Sequence, residues 1–327
     1  MSAAAATAVE RRPLDARRVL ARPAAPAVVF LAVLVAVFAV LADGFLTLDN
    51  AKGILASITV LGIVALGVNQ VILVGDIDIS VGSMLGVCAV VVGAVGTAVG
   101  GLILPLLAGI AAGAAIGSLN GTLTTVARIP SIIVTLGMLY ALRGLDLLIT
   151  GGDWITGIPS STRWLGTGQI LGFDVGVWVL LLVFAVVAAL GRFSTWGRDV
   201  MAAGGNRRAA RFAGLPVDRT RLLAFVLTGA LVGVAATILV GRVASVTPDA
   251  GKNLELQVVA AVVIGGTSIA GGRGSAVAAL VGAILIGVFL NGLVLLKVPG
   301  VWQNVVLGGL ILLAVSTDAV RRRIVEG

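Results

Sequence analysis

Apolar residues fill this chain in stretches of about 17–24 residues, the length a helix needs to cross about 30 Å of hydrocarbon. They lie at 25–42, 53–74, 81–98, 102–125, 131–150, 173–191, 221–241, 255–270, 275–296 and 302–320. Backbone polar groups find no water in hydrocarbon, so the stretches must be helices or a closed barrel. They are continuous rather than alternating, which selects helices. The pattern predicts an all-α, polytopic helical membrane protein with about ten transmembrane helices. The short stretches 81–98 and 255–270 also fit re-entrant or broken helices.

Composition agrees. Of 327 residues, 59% are hydrophobic and 12% charged, whereas a soluble domain carries about 25% charged residues. Gly is abundant, at 45 residues, and small residues let helices approach closely where lipid offers no hydrophobic drive between them. The formal charge of +8 does not point to nucleic acid, because the basic residues fall where the positive-inside rule places them. The N-terminal arginines (Arg11, Arg12, Arg17, Arg18, Arg22), the C-terminal Arg321, Arg322 and Arg323, Arg128, Arg273 and seven arginines of 192–221 share one side. They make 17 of the 23 Lys and Arg; Lys52, Arg143, Arg163, Arg242, Lys252 and Lys297 fall on the other. The reading is a cytoplasmic tail over 1–24, a membrane domain over 25–320 with a cytoplasmic loop over 192–221, and a cytoplasmic tail over 321–327. A basic leader, an apolar run and Val40-Leu41-Ala42 also fit a cleaved signal peptide, which leaves every later orientation unchanged.

Asn120-Gly121 before Arg128-Ile129-Pro130 is echoed by Asn291-Gly292 before Lys297-Val298-Pro299. The two spans cross in opposite directions, as an inverted internal repeat requires. Chemistry is sparse. The chain has no His, which removes the commonest general base and metal ligand, and the lone Cys88 permits no internal disulfide. No G-x-x-x-x-G-K-[ST] loop is present; Gly251-Lys252-Asn253 lacks the hydroxyl residue, so a triphosphate would have to bind another chain.

The long basic interruption carries the most local information. Gly204-Gly205 breaks the chain, Asn206 can cap a helix from Arg207 to Ala213, and Gly214 and Pro216 end it. With Ala209, Ala210 and Ala213 near one face, the helix suits docking into a partner's groove; a basic loop resting on anionic membrane lipid fits equally. Asp76 and Asp78 lie between apolar runs, where ionisable residues are costly. They suit hydrogen bonding to a ligand or gating. The expected role is structural, a helix break with Ser80 capping the next helix near its positive end. Asn69, Gln70 and Asn120 are read as amides joining helices, with a pathway role as the alternative. Arg143 and Asp146, three apart, are expected to pair.

Gly204-Gly205-Asn206-x-x-Ala209-Ala210-Arg211-x-x-Gly214 closely resembles the coupling loop of ribose-type sugar permeases of ATP-binding-cassette importers. Gly75-Asp76-Ile77-Asp78-Ile79-Ser80-Val81-Gly82-Ser83 resembles a signature of that family. So do Asn120-Gly121 with Arg128 to Gly137, and Glu255-Leu256 with Ala260 to Ser268 and Gly271-Gly272-x-Gly274-Ser275. The resemblance covers nearly all the chain outside 1–24 and 151–175.

It implies the permease subunit of a bacterial inner-membrane importer of a monosaccharide such as ribose, xylose, galactose or rhamnose. A cytoplasmic ATPase would bind the ATP, so the chain itself needs no cofactor and is no enzyme. An extracytoplasmic sugar-binding protein and a second permease copy complete the assembly. Gly204, Gly205, Asn206, Ala209, Ala210, Arg211 and Gly214 would couple to the ATPase, and Asn69, Asp76, Asp78 and Asn120 are the residues to test for pathway or gating.

The stretch Gly137 to Gly144 with Thr150-Gly151-Gly152 more faintly resembles members handling rhamnose or autoinducer-2. A related family imports branched-chain amino acids, with motifs that fit less well. An ion-coupled secondary transporter would need buried acid or His relays, and a membrane enzyme a nucleophile–base or metal constellation; the missing His and scattered carboxylates count against both.

Overall fold

A computed structural model of the chain describes residues 25–309 and residue 312. The tails at 1–24 and 321–327 and most of the segment after 309 lie outside the described residues. The helices are α1 (Ala25–Leu41), α2 (Leu48–Leu73), α3 (Val81–Val99), α4 (Ile103–Thr125), α5 (Ser131–Thr150) and the short α6 (Ser160–Thr167). After a two-residue hairpin come α7 (Val175–Phe193), α8 (Thr195–Gly205), α9 (Arg207–Phe212), α10 (Val217–Val243), α11 (Leu254–Ile264) and α12 (Ala276–Leu295). Seven of them, α2, α3, α4, α5, α7, α10 and α12, are long and apolar enough to cross a membrane.

The other three apolar stretches differ. Helix α1 has 17 residues, and residues 300–309 begin a further helix whose continuation lies outside the described residues. Helix α11 has 11 residues, which at 1.5 Å per residue reaches only about half the hydrocarbon thickness. The 255–270 stretch is therefore a half-helix followed by a turn, and the count of ten full crossings is not what the described residues contain. The segment before α11 runs back along α3, with the Ala250 and Gly251 carbonyls against Gly86 and Gly82. Helix α3, at 19 residues, is long enough to cross.

The core is built on backbone approach. Gly109, Gly113 and Gly117 recur every four residues on one face of α4 and meet Gly233, Gly229 and Phe225 of α10. A Cβ at Gly113 would run into the Gly229 carbonyl oxygen, and one at Gly229 into the Gly113 carbonyl. Packing partners also exchange between the two halves. Helix α4 lies on α10 as α12 lies on α2, and α3 on α4 as α11 on α12. The amides near the ends of α4 and α12, Asn120 and Asn291, each hydrogen-bond to another segment.

Connections gather at two ends. At one, Gly272 donates its N–H to the Leu73 carbonyl at 2.9 Å, Arg207 reaches Gly75, and the Ile77 N–H meets the Ser131 hydroxyl at 3.2 Å. At the other, Ser161 and Thr162 bond Gly101, and Ile155 pairs with Val246. Arg128, Arg207, Arg208, Arg211, Arg221 and Arg273 belong to the first, so among the described residues these arginines gather at one end of the bundle.

The α4–α10 contact makes a direct prediction. Gly113→Ala and Gly229→Ala should each destabilise the fold by about 1–3 kcal/mol, the usual cost of overpacking. Gly137→Ala, where a Cβ meets nothing within 4 Å, should be neutral. Thermal midpoints of the detergent-purified variants decide it; equal midpoints for all three would refute the close-contact account.

Candidate functional site

The Arg-rich end is organised around the two aspartates of the α2–α3 connection. Helix α2 ends at Leu73, Gly75 turns the chain at φ +78°, and residues 76–80 lead without regular structure into α3. Asp78 is fully buried. Its Oδ1 accepts from the Ser80 N–H at 2.9 Å and the Ser80 hydroxyl at 2.6 Å, and Asn120 Nδ2 reaches Ser80 Oγ at 2.9 Å and Asp78 Oδ2 at 3.5 Å. Burial pushes the Asp78 carboxyl above the ordinary carboxylate range, against these hydrogen bonds, which favour its ionised form. Ser80 does not cap α3 as expected: its oxygen accepts from Asn120 Nδ2 while its proton goes to Asp78. The break is built by the carboxylate instead.

Asp76, 3% exposed, is matched by two guanidiniums from distant segments. Arg221 at the start of α10 binds it bidentately, Nε to Oδ2 at 2.7 Å and Nη2 to Oδ1 at 2.9 Å. Arg207 of α9 donates to Oδ1 at 3.0 Å and also to the Val74 and Gly75 carbonyls, at 3.2 and 2.7 Å. Arg207 and Arg221 are the functional residues that sequence reasoning missed. The one available signal was a buried carboxylate needing a cation. Nothing local says which of the seven arginines of 192–221 answers.

The loop beyond α8 follows the local rules in part: Gly204 and Gly205 end α8 rather than break the chain before it, the break falls at Asn206, and the next helix stops at Phe212. Asn206 caps α9, its Oδ1 accepting from the Ala209 N–H at 3.0 Å, and Gly214 terminates the segment at φ +78°. A six-residue helix is too short to hold itself, and side contacts supply the rest. Ala210 is buried against Ala203 and Val217, and Gly204 is pressed onto the Leu73 carbonyl and Gly272. Ala210 and Gly204 are thus internal supports, not part of one outward alanine face. Gly205, Asn206, Ala209, Arg211 and Gly214 are exposed, and so is Phe212, at 92%. No Cβ added at Gly205 would meet anything within 4 Å.

The remaining polar residues do not converge on this cluster. Asn69 accepts from the Thr267 hydroxyl at 2.7 Å, joining α2 to the α11–α12 turn, while Gln70 accepts from Trp196 Nε1 at 3.3 Å. Asn50 and Asn291 exchange hydrogen bonds at the opposite end. The Arg143–Asp146 pair does not form: Arg143 donates to the Ala250 carbonyl at 3.3 Å, and Asp146 lies buried beside Gly86 with no hydrogen bond to either oxygen. Among the described residues, no three His, Cys, Asp or Glu side chains gather as a metal cage.

Removing one member of a buried ion pair strands the other, at about 3–5 kcal/mol. Asp76→Asn and Arg221→Gln should therefore each lower the thermal midpoint sharply. The double variant should lie well above the sum of the two losses, because neither charge is then abandoned. Arg207→Gln should cost less, since its side chain is partly exposed. A strictly additive double variant would refute the pairing.

A family model described as branched-chain amino acid transport system / permease component matches residues 50–315. The ribose import permease protein RbsC of Escherichia coli (strain K12) is 38% identical over 292 residues, 88% of this chain and 91% of that protein. The L-arabinose ABC transporter permease protein AraH of Azospirillum brasilense is 37% identical over 292 residues, covering 89% and 86%. The autoinducer 2 import system permease protein LsrC of Klebsiella pneumoniae is 39% identical over 285 residues, covering 86% and 83%. No solved structure matches the chain. The match to the model and the identity held over most of the chain, on a fold of apolar helices, show that this multi-pass membrane protein belongs to that family of transport-system permease components.

Proposed function

We propose that the chain is the membrane-spanning subunit of an ATP-driven importer that carries a monosaccharide or a compound of that size. The observation that carries this reading is α9, a capped short helix at the Arg-rich end, with one side anchored to α2 and α10 and the other exposed. A surface so placed suits a partner that pushes on the bundle from the side the charge skew makes cytoplasmic. The sequence contains no phosphate-cradling loop, so ATP hydrolysis is assigned to a separate subunit. An extracytoplasmic binding protein and a second permease copy complete the assembly in a bacterial inner membrane, with both tails cytoplasmic. Ribose, L-arabinose and autoinducer 2, named by the relatives, define the substrate range to try.

Asp76, Asp78, Asn69 and Asn120 are assigned to holding the segments together. All four are buried within one copy of the chain and are engaged with other protein groups. Asp78→Asn should lower assembled transporter and uptake alike for every sugar. A changed sugar preference at normal expression would sink that assignment.

The function is tested by reconstituting the chain with its ATPase and binding protein in liposomes and measuring ATP-dependent uptake of labelled ribose, arabinose and autoinducer 2. Gly205→Leu and Ala209→Leu place bulk on the exposed side of the coupling segment, at a cost of about 1–3 kcal/mol if a partner packs there as in an overpacked core. Stimulated hydrolysis and uptake should fall together while the chain still inserts, and Arg208→Ala should do less. Undiminished uptake and ATPase co-purification with Ala209→Leu would reduce this segment to a topology anchor. A cysteine at Ser161 should react with an impermeant thiol reagent from outside intact cells, and one at Arg208 only after permeabilisation.

A further inference from the structure

The Arg-rich end also holds a cleft of about 610 Å³ that the Asp76 ion pair borders but does not fill. That is the size of a small-ligand site. Ser131 and Ile132 line it at the start of α5, where the first N–H groups of a helix have no acceptor within it and the helix dipole is positive. Arg128 lines it just upstream with φ +58°, and no carboxylate lies within 4.0 Å of its guanidinium among the described residues. Arg207, Arg211 and Arg221 face the cleft against only Asp76 and Asp218, a surplus of two positive charges once Arg128 is counted.

The second observation is independent of charge. Thr124 lines the same cleft, is 2% exposed, and its hydroxyl has no hydrogen-bond partner. Its neighbour Thr125 bonds the Gly121 carbonyl in the ordinary helical way. An unpaired buried hydroxyl is costly, and a ligand reaching it would supply the missing bond.

We propose that this cleft binds a phosphate-bearing anion, held by the Arg128 guanidinium, the Thr124 hydroxyl and the N-terminus of α5. A guanidinium presents paired donors that match phosphate oxygens, and helix N-termini are ready anion sites. A dianion matches the charge surplus. The depth of Thr124 favours a small headgroup over an acidic protein surface, which could not reach it. Because Arg207 and Arg211 of α9 share the lining, occupancy would bias the position of the segment assigned to coupling; that regulatory consequence rests on the reading above, whereas the site itself does not. The phosphate could belong to a lipid headgroup of the adjoining leaflet or to a soluble phosphate ester.

The test is thermal unfolding of the full chain in uncharged detergent, titrated with sodium phosphate against sodium chloride of equal ionic strength. A parallel series uses micelles carrying phosphatidylglycerol or phosphatidylcholine. Phosphate or phosphatidylglycerol should raise the midpoint in a saturable way. Arg128→Gln should weaken the response at least tenfold, Arg128→Lys and Thr124→Val several-fold. Saturation by free phosphate assigns a soluble ligand; response to phosphatidylglycerol alone assigns a lipid headgroup. Either supports the proposal provided that Arg128→Gln weakens it at least tenfold, or Arg128→Lys weakens it several-fold should Arg128→Gln fail to fold. No response to either anion overturns it, as does an undiminished response in the Arg128 variants. Binding is read without transport or an ATPase, so failure here leaves the coupling reading standing.

Discussion

A carboxylate kept ionised out of water must be matched by cations held in good geometry, since its desolvation costs several kcal/mol otherwise. Asp76 imposes that demand on the whole Arg-rich end. It sits at the exit of α2, and its two partners are 131 and 145 residues away along the chain. Meeting the demand brings the α2–α3 connection, α9 and the first turn of α10 into one cluster. Arg207 does a second job there, because the carbonyls at the end of α2 have no partner within the helix. Its donation to Val74 and Gly75 satisfies them and sets a cation at the negative end of the helix dipole.

The middle of the bundle obeys a different rule. Lipid is as apolar as leucine, so burying apolar side chains gives helices little reason to associate, and close backbone approach gives more. The glycines of α4 and α10 answer this by removing side chains where two backbones meet. The same device admits the segment before α11, whose carbonyls lie on Gly82 and Gly86 of α3. Non-helical backbone is tolerated at membrane depth where protein surrounds it.

Helix positions were legible because hydrocarbon thickness sets their length, and edges agree within a few residues except where α2 and α10 run on past the apolar window and α11 stops six residues short of it. The brevity of 255–270 already pointed to a broken helix. Asn206 and Gly214 were legible because capping is local chemistry among adjacent residues. What is not local was lost. The facing of Ala210 depends on Ala203 and Val217, which meet it only after folding. Arg143 and Asp146 have the right spacing to pair, but the Ala250 carbonyl takes the guanidinium. Ser80 is placed to cap α3, yet its oxygen accepts from Asn120 Nδ2 of α4 while its proton goes to Asp78, partners that only folding supplies.

These differences bear on how force would travel through the molecule. A six-residue helix has no stability of its own, so the place of α9 is a consequence of what grips it. The grip has three parts: the Asn206 cap, Ala210 packed on Ala203 and Val217, and Arg207 bound to Asp76 and to the end of α2. Only the first is internal to the segment. The other two lead into α10 and α2, the longest helices of the bundle at 27 and 26 residues, and these also pack on each other. Under the proposed function, a partner pressing on the exposed side of α9 would work against these two long helices through hydrogen-bonded and close-packed contacts. A loop that merely pinned topology would need basic charge, but it would need neither a capped helix nor a buried carboxylate to hold one.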